Sequence, residues 1–574
     1  MLMPSSRWPG GLIALMMILP SALTAEPEAP PASTQIEELL SDVNRTDGPG
    51  AAIAIIKNGE FVYKNAFGMA DLERGVALTP RSVFEIGSVS KQFTAMSILL
   101  LENDGKLSLD DDIREYLPEM PAYEGPITLR HLLHHTSGIR DIETLFPLAG
   151  WPYANYYSTA QQLELISRQQ KLNFEPGSEH LYSNSGYLLL AYIVERVTGD
   201  SLREFADKRI FQPLGMRQTV FYDTPEQIVP DRAIPYSPAA DGGYQMELWF
   251  LPFAGPSGLY TSLGDLARWD ANFYDNKLGG GAELIEKMVT PGTLDNGEAT
   301  QYGAGLFVGG NDGDHRVINH GGAWMGYRAS LARYPDQRLT VILLSNASDI
   351  QVSTRAIASL FLEAESESPE EDDAESKPPA TIEVSSEALA QHEGTYWNES
   401  EMLLRTIEAR EGALHYVRGG GSSTELGAIK SDHFIMLGIG VQVDIEFAKD
   451  EKNGSPAMTV TVEDQDGLEF RRIEALPTDT LAEYEGAYWS DDLARELQLR
   501  VEDGQIQLSW ADEDRQVAAL QIGLDDLLAQ AFVPVPWDQQ DVRILIERDD
   551  ADQVKGLNLS CNMVRNLSFV KKAP

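Results

Sequence analysis

Apolar positions along the first 360 residues alternate between two spacings. Ala51–Ile56 and Phe61–Tyr63 are β-favouring runs on either side of Lys57-Asn58-Gly59-Glu60, and Asn-Gly between such runs predicts a hairpin. Ser88 to Glu102 carries Phe93, Met96, Ile98, Leu99 and Leu100 near helical spacing, with Asp104-Gly105 as its stop. A second apolar helix is expected over Tyr187–Val197, closed by Thr198-Gly199, and a helix start at Leu109–Asp112. Strands are expected over Gly303–Val308, His315–Ile318, Tyr327–Tyr334 and Leu339–Leu344, then a helix from Thr354 to Leu362. Strands and helices mixed in this way predict an α+β domain over residues 26–362.

The pattern then changes. Residues 363–383 are acidic, contain Ser and Pro, and have almost no apolar positions, which predicts a linker. After it the chain repeats itself. Leu389-Ala390-Gln391-His392-Glu393-Gly394-Thr395-Tyr396-Trp397 matches Leu481-Ala482-Glu483-Tyr484-Glu485-Gly486-Ala487-Tyr488-Trp489. Each copy continues in alternating runs such as Leu497–Val501, Asp503-Gly504, Gln505–Leu508. The repeat is too long for a solenoid unit and predicts two small all-β barrel domains, 384–475 and 476–574.

Composition narrows the partners. A formal charge of −43 excludes nucleic acid and anionic membrane surfaces as ligands, because both need a basic face. Arg7, the apolar run Leu12–Leu19 and the small residues up to Ala25 predict a secretory signal over 1–25 that is too short for a membrane anchor, and hence a periplasmic or secreted protein. The single cysteine, Cys561, leaves no internal disulfide to form. Oligomeric state is not legible.

Chemistry gathers at three places. Ser88 and Lys91 are three apart on the predicted helix, so the lysine stands over the serine. A serine hydroxyl needs a base, and a lysine whose charge is disfavoured by burial can be one. Tyr182 and Asn184 lie on the loop entering the second helix, where a tyrosine can relay protons and an asparagine can hold an amide. His320-Gly321-Gly322-Ala323 follows a predicted strand, and the N–H of Ala323 can serve with that of Ser88 as an oxyanion donor. His131 and His134 have no third ligand at metal spacing, so no metal site is read from them.

Taken in order, Ser88-x-x-Lys91, Tyr182-x-Asn184 and His320-x-Gly322 resemble the three motifs of the serine β-lactamase and penicillin-binding protein superfamily. Leu132–Gly138 and Pro256-Ser257-Gly258-Leu259 are similar to its branch of class C β-lactamases, D-aminopeptidases and family VIII esterases. The resemblance implies an antiparallel sheet flanked by helices, an inserted helical region and no cofactor. It implies Ser88 as the nucleophile that forms an acyl-enzyme, Lys91 as base, Tyr182 as proton shuttle and the N–H groups of Ser88 and Ala323 as oxyanion hole. Asn184, His320 and Gly322 are implied as substrate-binding residues. His320 departs from the Lys-Thr-Gly of β-lactamases, removing a cation and a hydroxyl that would hold a substrate carboxylate. His-x-Gly and two trailing barrels resemble the D-aminopeptidases, in which a loop of the last domain supplies an acid for the substrate amine. Asp538, in Phe532–Asp538, is expected in that role. The substrate is then a small amide or short peptide. An esterase of short acyl chains, a β-lactamase or DD-peptidase, and a non-catalytic binder of peptidoglycan fragments stand as alternatives.

Overall fold

The computed structural model describes residues 33–362 except 241 and 248, and residues 381–573 except 383, 399–402, 411, 419–422, 438–441, 450–453, 463–466, 474–477, 503–504, 513–515, 523–526, 536–537 and 562. Side chains of 478–480, 505, 516–522, 527–535 and 538–541 are also outside the description. The expected signal segment, nearly all of the linker, and the Asp538 side chain therefore lie outside the described residues.

Strands 51–57 and 60–67 form the expected hairpin, with Asn58 and Gly59 at positive φ in its turn. They sit at one side of a five-stranded antiparallel sheet ordered 318–324, 327–334, 339–345, 51–57, 60–67. Strand 51–57 is buried on both faces, and its period of two splits it between two cores. Ala52, Ala54 and Ile56 face the large core shared with the helical region. Ala51, Ile53 and Ile55 face a smaller one closed by Ile36, Ile357 and Ala358. This explains why the run shows no polar alternation.

Helix Lys91–Asn103 crosses the middle of the large core and packs on helix Asn184–Thr198, so its apolar residues are not confined to one stripe. Two expectations are corrected here. The segment that begins at Ser88 is not α-helical from its start: Gly87–Ser90 is a 3₁₀ turn, and the α-helix begins at Lys91. Gly303–Val308 is a loop rather than a strand. Gly305 has φ +78°, and a Cβ there would meet the Lys91 carbonyl oxygen at 2.7 Å, so the glycines serve a close approach to the catalytic helix. The expected helix start at Leu109–Asp112 is a 3₁₀ turn Ile113–Glu115, capped by the Asp112 carboxylate on the Arg114 N–H.

Both repeats close into eight-stranded barrels, with strands between Gly394 and Ile473 in the first and between Gly486 and Lys571 in the second. Full closure removes sheet edges. The first barrel has a core of its own, whereas the core of the second is continuous with that of the N-terminal unit.

Candidate active site

Ser88 lies on the turn between strand Phe84–Glu85 and helix Lys91–Asn103. Gly87 takes φ +52° there, and a Cβ on it would stand 2.5 Å from the Ala323 nitrogen. A Cβ on Gly322 would stand 1.9 Å from the Ile86 carbonyl oxygen. The paired glycines of His320-Gly321-Gly322 therefore include one, Gly322, that packing against the serine turn requires. That contact brings the edge strand Ile318–Trp324, and with it the Ala323 N–H, alongside Ser88.

The Lys91 amine is completely buried. Its Nζ lies 3.0 Å from Ser88 Oγ, 2.7 Å from Asn184 Oδ1 and 2.9 Å from the Pro256 carbonyl oxygen. A neutral amine has two N–H donors and one lone pair. Asn184 and Pro256 can accept the two donors, which leaves the lone pair for the serine hydroxyl. Burial lowers the Lys91 pKa well below the ordinary lysine range, opposed by the acids Glu143, Asp141 and Glu85. The neutral form is thus accessible near pH 7.

Tyr182 presents its ring to Lys91 Nζ at 4.7 Å from the centroid, and its buried hydroxyl has no hydrogen-bond partner in the resting site. Burial holds the phenol well above its usual pKa, with the neighbouring Ser88 hydroxyl acting in the opposite sense. A phenol kept protonated beside the serine is placed to donate. The ring packs on that of His135, with centroids 4.3 Å apart. His135 Nδ1 accepts from the Ser183 N–H at 3.1 Å, which fixes the loop that carries Tyr182; Asn184, expected on that loop, is instead the first residue of the helix.

His320 is buried, with both ring nitrogens engaged. Nδ1 is 2.5 Å from the Gly321 carbonyl oxygen and so donates to it, while Nε2 accepts from the Tyr302 hydroxyl at 2.9 Å. Burial, then the nearby Lys91, pushes its pKa down to about 3. The ring is a neutral wall and offers no cation to a substrate carboxylate. His131 and His134 have local partners. The His131 ring accepts from the Thr128 N–H in a capping box, and His134 Nδ1 lies 3.2 Å from the Tyr302 carbonyl oxygen.

Three acids escaped the sequence reasoning. Glu85 accepts from the Gly87 N–H at 2.9 Å, Ser257 Oγ at 2.8 Å and the Gly258 N–H at 2.7 Å, tying the serine turn to the Pro256 loop. Burial nevertheless raises its pKa to about 7. Asp141 accepts from the Asn184 N–H at 2.7 Å and caps helix Ile142–Leu148 through the Thr144 N–H at 3.0 Å. Glu143, in the first turn of that helix, bears on Lys91 more strongly than the other two. Among the described residues no side chain donates to its carboxyl, and burial followed by Asp141 raises its pKa. Position after a helix-capping Asp was a usable signal, but acids are too common in this chain for it to stand out. The hairpin that ends at Asp538, with Val535 paired to Asp538, belongs to a strand that packs against this same helix.

A family model described as "Beta-lactamase" matches residues 36–363. The chain is 32% identical to penicillin-binding protein 4* of Bacillus subtilis (strain 168) over 332 residues, 54% of this chain and 70% of the relative. It is 30% identical to a D-aminopeptidase of Gluconobacter oxydans (strain 621H), across 58% of this chain and 62% of that one. A D-aminopeptidase of Brucella anthropi matches at 26% over 546 residues, 92% of this chain and 96% of that protein, so the match extends through both barrels. The octameric penicillin-binding protein homologue of Pyrococcus abyssi shares the fold, with TM-score 0.52 and 24% identity over 76% of this chain and 98% of that one. The chain belongs to the β-lactamase family and is a serine hydrolase of it, similar in layout to the D-aminopeptidases.

Proposed function

We propose that this hydrolase works through an acyl-enzyme and releases N-terminal D-amino acids from small amides or peptides. Lys91 Nζ takes the Ser88 proton as Oγ attacks the substrate carbonyl, and the N–H groups of Ser88 and Ala323 receive the oxyanion. Tyr182 protonates the leaving amine. Water, activated in the reverse sense, then releases the amino acid and returns the proton to Ser88. Asn184 keeps Lys91 oriented through its Oδ1 and lies where a substrate amide would pass. His320 and Gly322 form the far wall.

The observation that carries the reading is Glu143. It is an acid beside Lys91 with no donor of its own among the described residues, in a site whose histidine is neutral. A carboxyl raised by burial is returned to its charged form by a cation that binds next to it. The substrate's ammonium is such a cation, and His320 offers no positive charge for a carboxylate. Similarity to D-aminopeptidases along nearly the whole chain supports the same reading. Asp538 stays in the proposal as a second acid on the hairpin beside the Glu143 helix. Export to the periplasm or outside the cell is proposed from the N-terminal 25 residues alone.

The test is a panel of D- and L-alanine p-nitroanilide, p-nitrophenyl butyrate and benzylpenicillin. The D-anilide should be turned over in preference to its enantiomer, and penicillin only slowly. Efficient penicillin hydrolysis would overturn the reading in favour of a β-lactamase, and turnover of the butyrate alone in favour of an esterase.

A further inference from the structure

The helix that carries Glu143 is held at both ends by the second barrel. At its N-terminus the Asp141 N–H donates to the Met563 carbonyl at 3.2 Å, and Asn173 Nδ2 donates to the same oxygen at 2.9 Å. The preceding residue, Arg140, is fully buried and spends all three guanidinium nitrogens across this boundary. Its Nε donates to the Arg565 carbonyl at 3.0 Å and Nη2 to the Asn566 carbonyl at 2.7 Å. Its Nη1 donates to Asp492 Oδ2 at 2.7 Å and to Gln169 Oε1 at 2.9 Å. At the other end, Arg495 Nη1 donates to the Pro147 and Leu148 carbonyls at 3.2 and 3.0 Å, where a helix C-terminus presents unpaired oxygens and partial negative charge.

From the same two residues, bonds run inward to the nucleophile. The Arg140 carbonyl accepts from Ser185 Oγ at 2.6 Å, and Asp141 Oδ1 accepts from the Asn184 N–H at 2.7 Å. Asn184 Oδ1 in turn accepts from Lys91 Nζ. A buried guanidinium is tolerable only when its partners are in place, so the barrel turn that supplies Asp492 and the strand Val564–Lys571 that supplies the 565–566 carbonyls fix where Arg140 and its neighbour stand.

We propose that Arg140 and its second-barrel partner Asp492 are positioning residues that hold Asn184 and, through it, Lys91. The proposal rests on the reading of Lys91 as the base for Ser88.

The experiment measures the rate at which a fluorophosphonate labels Ser88 as a function of pH, with melting temperature alongside, in four full-length proteins. These are the wild type, Asp492→Asn, Arg140→Lys and, as a reference, Phe434→Leu in the core of the first barrel. Lys91 is faced by Glu85, Asp141, Glu143, His135, His320, Tyr182 and Tyr187, none of which is substituted in any variant. Labelling needs the neutral amine, so its rate rises with pH through the Lys91 titration. Asp492→Asn should slow labelling near neutrality about tenfold, the size expected for residues coupled through one bonded network. It should also move the midpoint upward, because a loosened site admits water and restores the ordinary lysine pKa. Simple loss of a negative charge would move the midpoint the other way, so the sign separates positioning from field. Arg140→Lys keeps the charge but not the fork of bonds and should fall between the two. It carries the same expectation should the asparagine variant not accumulate. Phe434→Leu should lower the melting temperature and leave rate and midpoint alone. An unchanged or downward midpoint in Asp492→Asn, or slowing no greater than in a first-barrel variant of equal melting temperature, overturns the proposal. Failure of the base reading looks different: Lys91→Arg would then label at the wild-type rate.

Discussion

In both C-terminal barrels a tyrosine on the first strand donates its hydroxyl to the carbonyl four residues earlier: Tyr396 to His392 at 2.9 Å, and Tyr488 to Tyr484 at 2.6 Å. Gly394 pairs with Ile407 in one barrel as Gly486 pairs with Leu499 in the other. Aligned on those pairs, the copies differ where the second touches the hydrolase unit. In sequence, Ser400 aligns with Asp492 and Leu403 with Arg495. Among the described residues, the hydrogen bonds that tie the hydrolase unit to a barrel all run to the second. One scaffold has thus been used twice, and a few polar residues distinguish the copy bonded to the hydrolase unit from the copy that stands apart with its own core.

The largest expected effect concerns the chemistry to which the second barrel is joined. Ser88→Ala should lower turnover by roughly three orders of magnitude or more with the melting temperature unchanged, and a fluorophosphonate should no longer label the protein. Labelling that persists on another serine would detach the barrel contacts from the nucleophile altogether. Lys91→Arg follows, with a loss of about 10²–10⁴-fold in kcat, since arginine keeps the charge but cannot act as a base at neutral pH. Retained activity in that variant would show that the base lies elsewhere.

The next prediction sharpens the role of the gripped helix. Glu143→Gln should raise KM for a free-amine substrate by about 10- to 100-fold, the worth of one charge-assisted hydrogen bond, and leave p-nitrophenyl butyrate unaffected. An equal change on both substrates would mean that Glu143 acts through Lys91 rather than through the amine.

The smallest effect on activity is expected in the other barrel. Phe434, in its core, is 1% exposed. Phe434→Ala should cost about 3–5 kcal/mol of that barrel's stability, read by calorimetry as a separate early transition, while kcat/KM at 25 °C holds. Coincident loss of activity would erase the distinction between the two copies.

How much of this was legible follows from distance along the chain. Ser88 and Lys91 are read from one turn, and Tyr182, Asn184 and His320 from short motifs beside recognisable elements, because local periodicity fixes which residues stand together. The two barrels were legible as a repeat of alternating runs. The Arg140–Asp492 pair is not local, since a separation of more than 350 residues leaves no periodicity to follow. Glu85, Asp141 and Glu143 are three acids in a chain with 88 aspartates and glutamates, and only their placement around Lys91 distinguishes them. Gly303–Val308 reads as a strand in sequence but is a loop, because its glycines serve close packing against Lys91. Ser88 reads as helical in sequence because its 3₁₀ turn shares the helix's side-chain spacing closely enough to mimic it.

The central claim is that a serine nucleophile and a half-buried acid on the gripped helix together select a substrate with a free amine. It is tested most directly by comparing kcat/KM for D-alanine p-nitroanilide with that for its N-acetyl derivative, at pH 7 on the unmodified protein. The free amine should be preferred by about tenfold or more, as expected for one charge-assisted hydrogen bond. Equal values, or a preference for the acetylated compound, would contradict the account.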